Sequence, residues 1–104
     1  MSAVLQEIYN ELVIEKIDFT ERQFSKEYLG KTGSYMAYLK SMKKEASADC
    51  LLLLFGKLSR DKQKYEDQMS VIGNNGVNYL IQENIALYDR LRGRVYVDMM
   101  RYTH

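Results

Sequence analysis

The chain has 104 residues, 46% hydrophobic and 28% charged, with a net charge of +1, no proline and one cysteine. That balance fits one folded domain with a modest core. A single cysteine excludes an intramolecular disulfide framework, and the longest apolar run, residues 50–55, is far too short to span a bilayer.

Residues 2–17 read as an amphipathic helix. Leu5, Ile8, Tyr9, Leu12, Val13 and Ile17 recur at helical spacing, and Glu7 and Glu11 fall off that stripe. Those glutamates rule against a signal peptide, so a cytoplasmic protein is expected. Glu7, Glu11 and Glu15 lie at i, i+4 and i+8, a spacing that could hold a metal. No histidine joins them, and a solvated face is the expected role. Asp18 breaks the pattern.

Thr20 has the chemistry of an N-cap. Gln23, three residues on, completes a capping box, and Phe19 and Phe24 stand at the staple positions. A helix from Glu21 to about Leu29 follows. Gly30 ends it, because glycine tolerates the left-handed conformation at a helix C-terminus. Thr32 is then expected to cap a helix running to about Met42, with Met36 and Leu39 facing inward. Lys40, Lys43 and Lys44 close that segment with positive charge.

Ser47 is the next expected N-cap, with Asp49 in the first turn. Leu51, Leu54, Phe55 and Leu58 make an inward face. The helix either stops near Leu58 or continues through Lys62 and Met69 along a polar stretch. Gly73-Asn74-Asn75-Gly76 is the clearest break in the chain and is expected to turn. Residues 77–102 then read as one helix of about 40 Å. Its stripe is Val77, Leu80, Ile81, Ile85, Tyr88, Leu91, Val95 and Met99. The expected fold is all-α, with about five helices in one domain.

The charge is unevenly placed. Residues 20–48 carry six Lys and Arg against three Glu, a local excess of +3, whereas residues 1–19 carry −3. The basic segment coincides with the two short helices around Gly30. Two short helices joined by a tight glycine-containing turn, with basic residues after them, form a helix-turn-helix pattern.

On these residues the segment 4–58 resembles the lambda-repressor-like, or Cro-type, DNA-binding domains. Leu29-Gly30 resembles their helix end, and Thr32 their turn hydroxyl. Ser34, Met36 and Leu39 resemble the start and inward positions of a recognition helix, and residues 43–47 the basic turn before a leucine-rich fourth helix. The chain departs from that pattern at Lys26, where a small residue is usual, with Ser25 the nearest one. It departs again at Lys31, at Gly33 in a reading position, and at Gly56.

The resemblance implies a small transcriptional regulator that binds double-stranded DNA. Ser34, Ala37, Tyr38 and Tyr35 would reach base edges, and Arg22, Lys31, Lys40, Lys43 and Lys44 would pair with phosphates. The other class of function is a protein-binding adaptor or inhibitor that keeps the helices without reading DNA, for which nine tyrosines and six methionines are suited. An enzyme is not expected: Cys50 reads as a buried apolar residue, and His104 is a poor base or ligand at the chain's last position. No cofactor and no small-molecule ligand is expected. A homodimer is expected through Leu80, Ile81, Ile85, Tyr88, Leu91, Val95 and Met99, with Leu91 and Tyr88 near its centre.

Overall fold

The computed structural model describes residues 3–16, 18–72 and 78–103. Five α-helices and a short 3-10 turn appear among them, with no strand. Helix α1 is Ala3–Glu15, α2 Glu21–Glu27, α3 Tyr35–Met42, α4 Ala48–Ile72 and α5 Asn78–Met99. The 3-10 turn is Met100–Thr103. No helix among the described residues is long and apolar enough to cross a membrane.

The local signals explain the first half. Helix α1 buries Val4, Leu5, Ile8 and Leu12. Asp18, at φ 59°, turns the chain out of it. Thr20 forms the expected capping box: its hydroxyl accepts from the Gln23 N–H at 3.1 Å, and the Gln23 side chain accepts from the Thr20 N–H at 2.9 Å. The Phe19 and Phe24 rings meet edge-on at 6.2 Å, so the staple forms. The Gly30 φ of 65° is the left-handed conformation expected there, and a Cβ on Gly30 would sit 3.0 Å from Leu53 Cδ1. Gly30→Ala is therefore expected to lower stability by about 1–2 kcal/mol, read from the urea midpoint.

Thr32 does not cap α3. Ser34 holds the N-cap position without a side-chain cap bond, and the Thr32 carbonyl accepts from the Tyr35 N–H at 3.1 Å. The C-terminus of α3 is closed by Lys43 at φ 53°, with the Lys44 N–H donating to the Leu39 carbonyl at 3.0 Å. Ser47 caps α4 as expected, its hydroxyl accepting from the Cys50 N–H at 3.3 Å. Helix α4 then continues past Leu58 to Ile72 without a break at Gly56. The polar stretch is held by contacts along the helix, Lys57 pairing with Asp61 at 3.2 Å and the Gln63 amide donating to Asp67 at 3.0 Å, and by contacts with α5. The expected turn at residues 73–76, and Val77 after it, lie outside the described residues.

Cross-chain contacts fix how the long helices run. Arg92 Nε donates to Ser59 Oγ at 2.8 Å, and Lys62 meets Asp89 at 3.1 Å, so α4 and α5 are antiparallel. Arg94 pairs with Glu7 at 2.9 Å and Arg90 with Glu11 at 2.8 Å, so α1 also runs antiparallel to α5. Helices α2 and α3 close one side of this three-helix layer. One core joins them, built from Leu5, Ile8 and Leu12 of α1, Phe24 of α2, Leu29, Met36 and Leu39 around α3, Cys50, Leu51, Leu54 and Leu58 of α4, and Tyr88, Leu91 and Val95 of α5. Helix α5 is shorter than the residues 77–102 expected of it. Its last turn tightens to 3-10 geometry where the Tyr102 hydroxyl donates to the Ala46 carbonyl.

Ser25 is fully buried and its hydroxyl has no hydrogen-bond partner among the described residues. It is the small residue that α2 turns into the core, one position before Lys26. An unpartnered buried hydroxyl is unfavourable, so Ser25→Ala is expected to hold or raise stability, by up to about 1 kcal/mol in urea unfolding. A loss above that would reveal a partner.

Candidate nucleic-acid interface

The face in question is built by α2, the turn at residues 28–34, and α3. Met36 and Leu39 are 3% exposed and anchor α3 to the core. Helical periodicity then directs Ala37 and Tyr38 outward, and Ser34 and Ala37 are fully on the surface. Tyr38 is 45% exposed. Tyr35 behaves differently. It is half-buried against the core, and burial beside the Cys50 thiol pushes its phenol up to about 12. The two rings stack at 6.4 Å, leaving Tyr38 as the outer member of the pair.

The cations divide into two groups. Lys40 is bound to Glu21 at 2.6 Å, and Lys31 lies over the Tyr35 ring at 5.5 Å with Asp49 at 3.8 Å. Both are therefore engaged within the chain. Arg22, Lys26 and Lys43 are exposed and form no ion pair among the described residues. Lys44 donates to the Tyr38 hydroxyl at 3.1 Å and lies over that ring at 5.5 Å. The structure thus brings Ser34, Ala37, Tyr38, Arg22, Lys43 and Lys44 to one surface, and places Tyr35, Lys31 and Lys40 in supporting contacts.

Gly33 has a role that composition alone does not show. A Cβ at Gly33 would lie 2.6 Å from Arg22 Cγ. The missing side chain lets the Arg22 stem lie against the turn before α3. The Arg22 side chain occupies the space that a Gly33 side chain would take.

The expected dimer residues are placed otherwise. Tyr88 and Val95 are fully buried, Leu91 is 3% and Ile81 5% exposed, and Ile85 and Met99 are half-buried. Helices α1 and α4 of the same chain cover this stripe, so Tyr88 and Leu91 are not available as the centre of a seam between copies. Only Leu80, 60% exposed, stands clear of the core. Helix α5 instead packs against α1 of its own chain, as the Glu7–Arg94 and Glu11–Arg90 pairs show.

The glutamates of α1 stay partly solvated, as expected, but each also has a partner in the chain. Glu7 and Glu11 pair with Arg94 and Arg90. Glu15 accepts from the Tyr65 hydroxyl at 2.9 Å and the Tyr88 hydroxyl at 3.0 Å. Beside them the Tyr28 hydroxyl donates to the buried Asp61 at 2.5 Å, and Lys57 pairs with the other Asp61 oxygen. Sequence reasoning missed this tyrosine–carboxylate cluster, because its members lie in four separate helical segments. Cys50 is the buried apolar residue expected, and burial pushes its thiol up. No group of three His, Cys, Asp or Glu among the described residues is placed to hold a metal ion.

The chain belongs to a family of unknown function, DUF6626, whose model matches residues 5–95. No curated protein and no solved structure matches it.

Proposed function

We propose that this DUF6626 protein is a small duplex DNA-binding regulator that docks α3 in the major groove. The observation that carries the reading is the composition of one surface. Ser34, Ala37 and Tyr38 stand on the outer side of α3. Arg22, Lys43 and Lys44 surround them and form no ion pair among the described residues, whereas Arg90, Arg92, Arg94 and Lys57 on other faces are paired, as Lys16, Lys26, Arg60 and Lys64 are not. Unpaired cations around a small, polar helix face suit phosphate contacts flanking base edges. Ser34 can exchange hydrogen bonds with a base edge, Ala37 can meet a thymine methyl, and Tyr38 can reach a phosphate or base edge.

The test is binding to genomic duplex fragments at several salt concentrations. Lys43→Gly suits the left-handed backbone at that position, so it removes charge without strain. Combined with Lys44→Ala, it is expected to weaken binding to all sequences about tenfold or more, and to lower the salt slope by about 2. Ser34→Ala is expected to change preference between sequences instead. No salt-dependent binding by the unaltered protein, or no effect of the double variant, would refute the proposal. The reading that the helices serve only protein contacts would then stand.

A further inference from the structure

The loop that carries Lys43 and Lys44 is closed by local bonds at both ends. At its start the Lys43 N–H donates to the Lys40 carbonyl at 3.3 Å and the Lys44 N–H to the Leu39 carbonyl at 3.0 Å. At its end the Ser47 hydroxyl accepts from the Cys50 N–H at 3.3 Å, and the Ser47 carbonyl from the Leu51 N–H at 3.1 Å. Between them stands Ala46, 2% exposed and packed into the core. Ala46 precedes the N-cap, and the Cys50 N–H that a longer helix would give it is taken by Ser47. Its carbonyl is therefore outside the α4 ladder, and a buried carbonyl needs a partner. That partner comes from the far end of the chain: the Tyr102 hydroxyl donates to it across 56 residues of sequence.

The 3-10 turn that presents Tyr102 is itself fixed. Asp98, buried at the end of α5, accepts from Arg94 at 3.0 Å and pairs with Arg101 at 3.6 Å, so it spans the join between helix and turn. Met99 packs against the core beside it. Tyr102 remains 50% exposed, so its hydroxyl can be removed without emptying the core.

We infer that Tyr102 is a positioning residue for the proposed DNA surface: its hydroxyl holds the 43–47 loop in the arrangement that sets Lys43 and Lys44 beside α3. The effect on binding rests on the proposed function, whereas the hold on the loop does not. Lys43 sits at φ 53°, a left-handed conformation that costs a lysine free energy. A loop containing such a residue gains other arrangements when its central bond is lost. Only the fraction of molecules with the loop in place then binds at full strength, and the apparent affinity falls by that fraction. Both cations are still present, so the complex meets as many phosphates as before. Charge removal lowers the salt slope, and loop release does not.

Tyr102→Phe keeps the ring and removes the donor. Backbone 15N relaxation of the full chain, without DNA, reads the loop directly. In the variant, residues 44–47 are expected to lose order, as lower order parameters or new relaxation dispersion, while Ile8 and Leu91 stay unchanged. With genomic duplex fragments, Tyr102→Phe is expected to bind about threefold to tenfold more weakly at an unchanged salt slope, the range one net hydrogen bond spans. In the Lys43→Gly, Lys44→Ala background the same change is expected to cost less than about twofold, because the loop no longer carries the contacts. A merely structural role would weaken both backgrounds alike. Unchanged relaxation at residues 44–47 overturns the inference. So does a disordered loop with undiminished affinity, a lowered salt slope, or an equal loss in the charge-stripped background. If the unaltered chain binds no DNA, the proposed function fails and the effect on binding with it, and the relaxation result alone decides whether Tyr102 holds the loop.

Discussion

Tyr88→Ala is expected to cost about 3–5 kcal/mol, a large part of the stability of a domain this size. The ring is fully buried where α1, α4 and α5 meet, stacked on Tyr65 at 5.6 Å. Its hydroxyl donates to Glu15, so truncation both opens a cavity and strips one bond from a carboxylate on α1. Tyr88→Phe separates the two terms. It keeps the ring and removes only the hydrogen bond, so a loss of about 1–3 kcal/mol is expected. Urea unfolding followed by circular dichroism measures both. If Tyr88→Ala shifts stability by less than about 1 kcal/mol, the ring is not the junction of the three helices.

Alkaline pH should unfold the protein steeply. Burial, followed by the Asp61 hydrogen bond, pushes the Tyr28 phenol far above its usual 10. Burial and the Glu15 carboxylate push Tyr88 up in the same way, and Tyr65 rises to about 12. The unfolded chain releases these protons near pH 10, while the folded chain keeps them. Stability is therefore flat below about pH 10 and falls as the pH rises from there toward the folded-state values. Tyr28 and Tyr88 each contribute a slope of about 1.4 kcal/mol per pH unit, together about 3. Unfolding free energies measured between pH 8 and about 11.5 test this, and Tyr88→Phe should lower the slope by about 1.4 kcal/mol per pH unit. A stability that stays level through about pH 11.5 would contradict the buried phenols.

Much of the backbone was legible in the sequence, and for local reasons. The capping box at Thr20 and Gln23, the stop at Gly30 and the cap at Ser47 are decided by atoms within four residues of one another. The inward face of α3 follows from spacing alone, as Met36 and Leu39 show, and that of α1 largely so. Leu5, Ile8 and Leu12 are buried, but Val13, read on the same stripe, is exposed and Val4 is buried instead, while Ile17 lies outside the described residues. Where local chemistry was nearly balanced the reading slipped by a few residues. Thr32 and Ser34 both offer a cap hydroxyl, and the turn places Ser34 at the helix start. The polar half of α4 carries no strong stripe, and its length depends on contacts with α5.

The candidate surface was legible in part. Spacing around Met36 and Leu39 sufficed to direct Ala37 and Tyr38 outward. It could not show that Glu21 holds Lys40, that Tyr35 sinks against Cys50, or that Gly33 clears a path for Arg22, because these depend on how α3 packs against α2 and α4.

The sequence by itself determined an all-helical chain, where most of its helices begin, and which side of each faces inward, since period and capping act within a few residues. Only the tertiary structure decided what covers those faces. Tyr88, Leu91 and Val95 present the same apolar stripe whether α1 of the same chain or a second copy lies against it. The cross-links from Glu7 to Arg94, Glu11 to Arg90 and Glu15 to Tyr88 select α1, and they span more than seventy residues of chain. With that stripe spent in the core, the large apolar side chains left exposed include Leu52, Tyr96 and Tyr102, which come together because α4 and α5 run antiparallel.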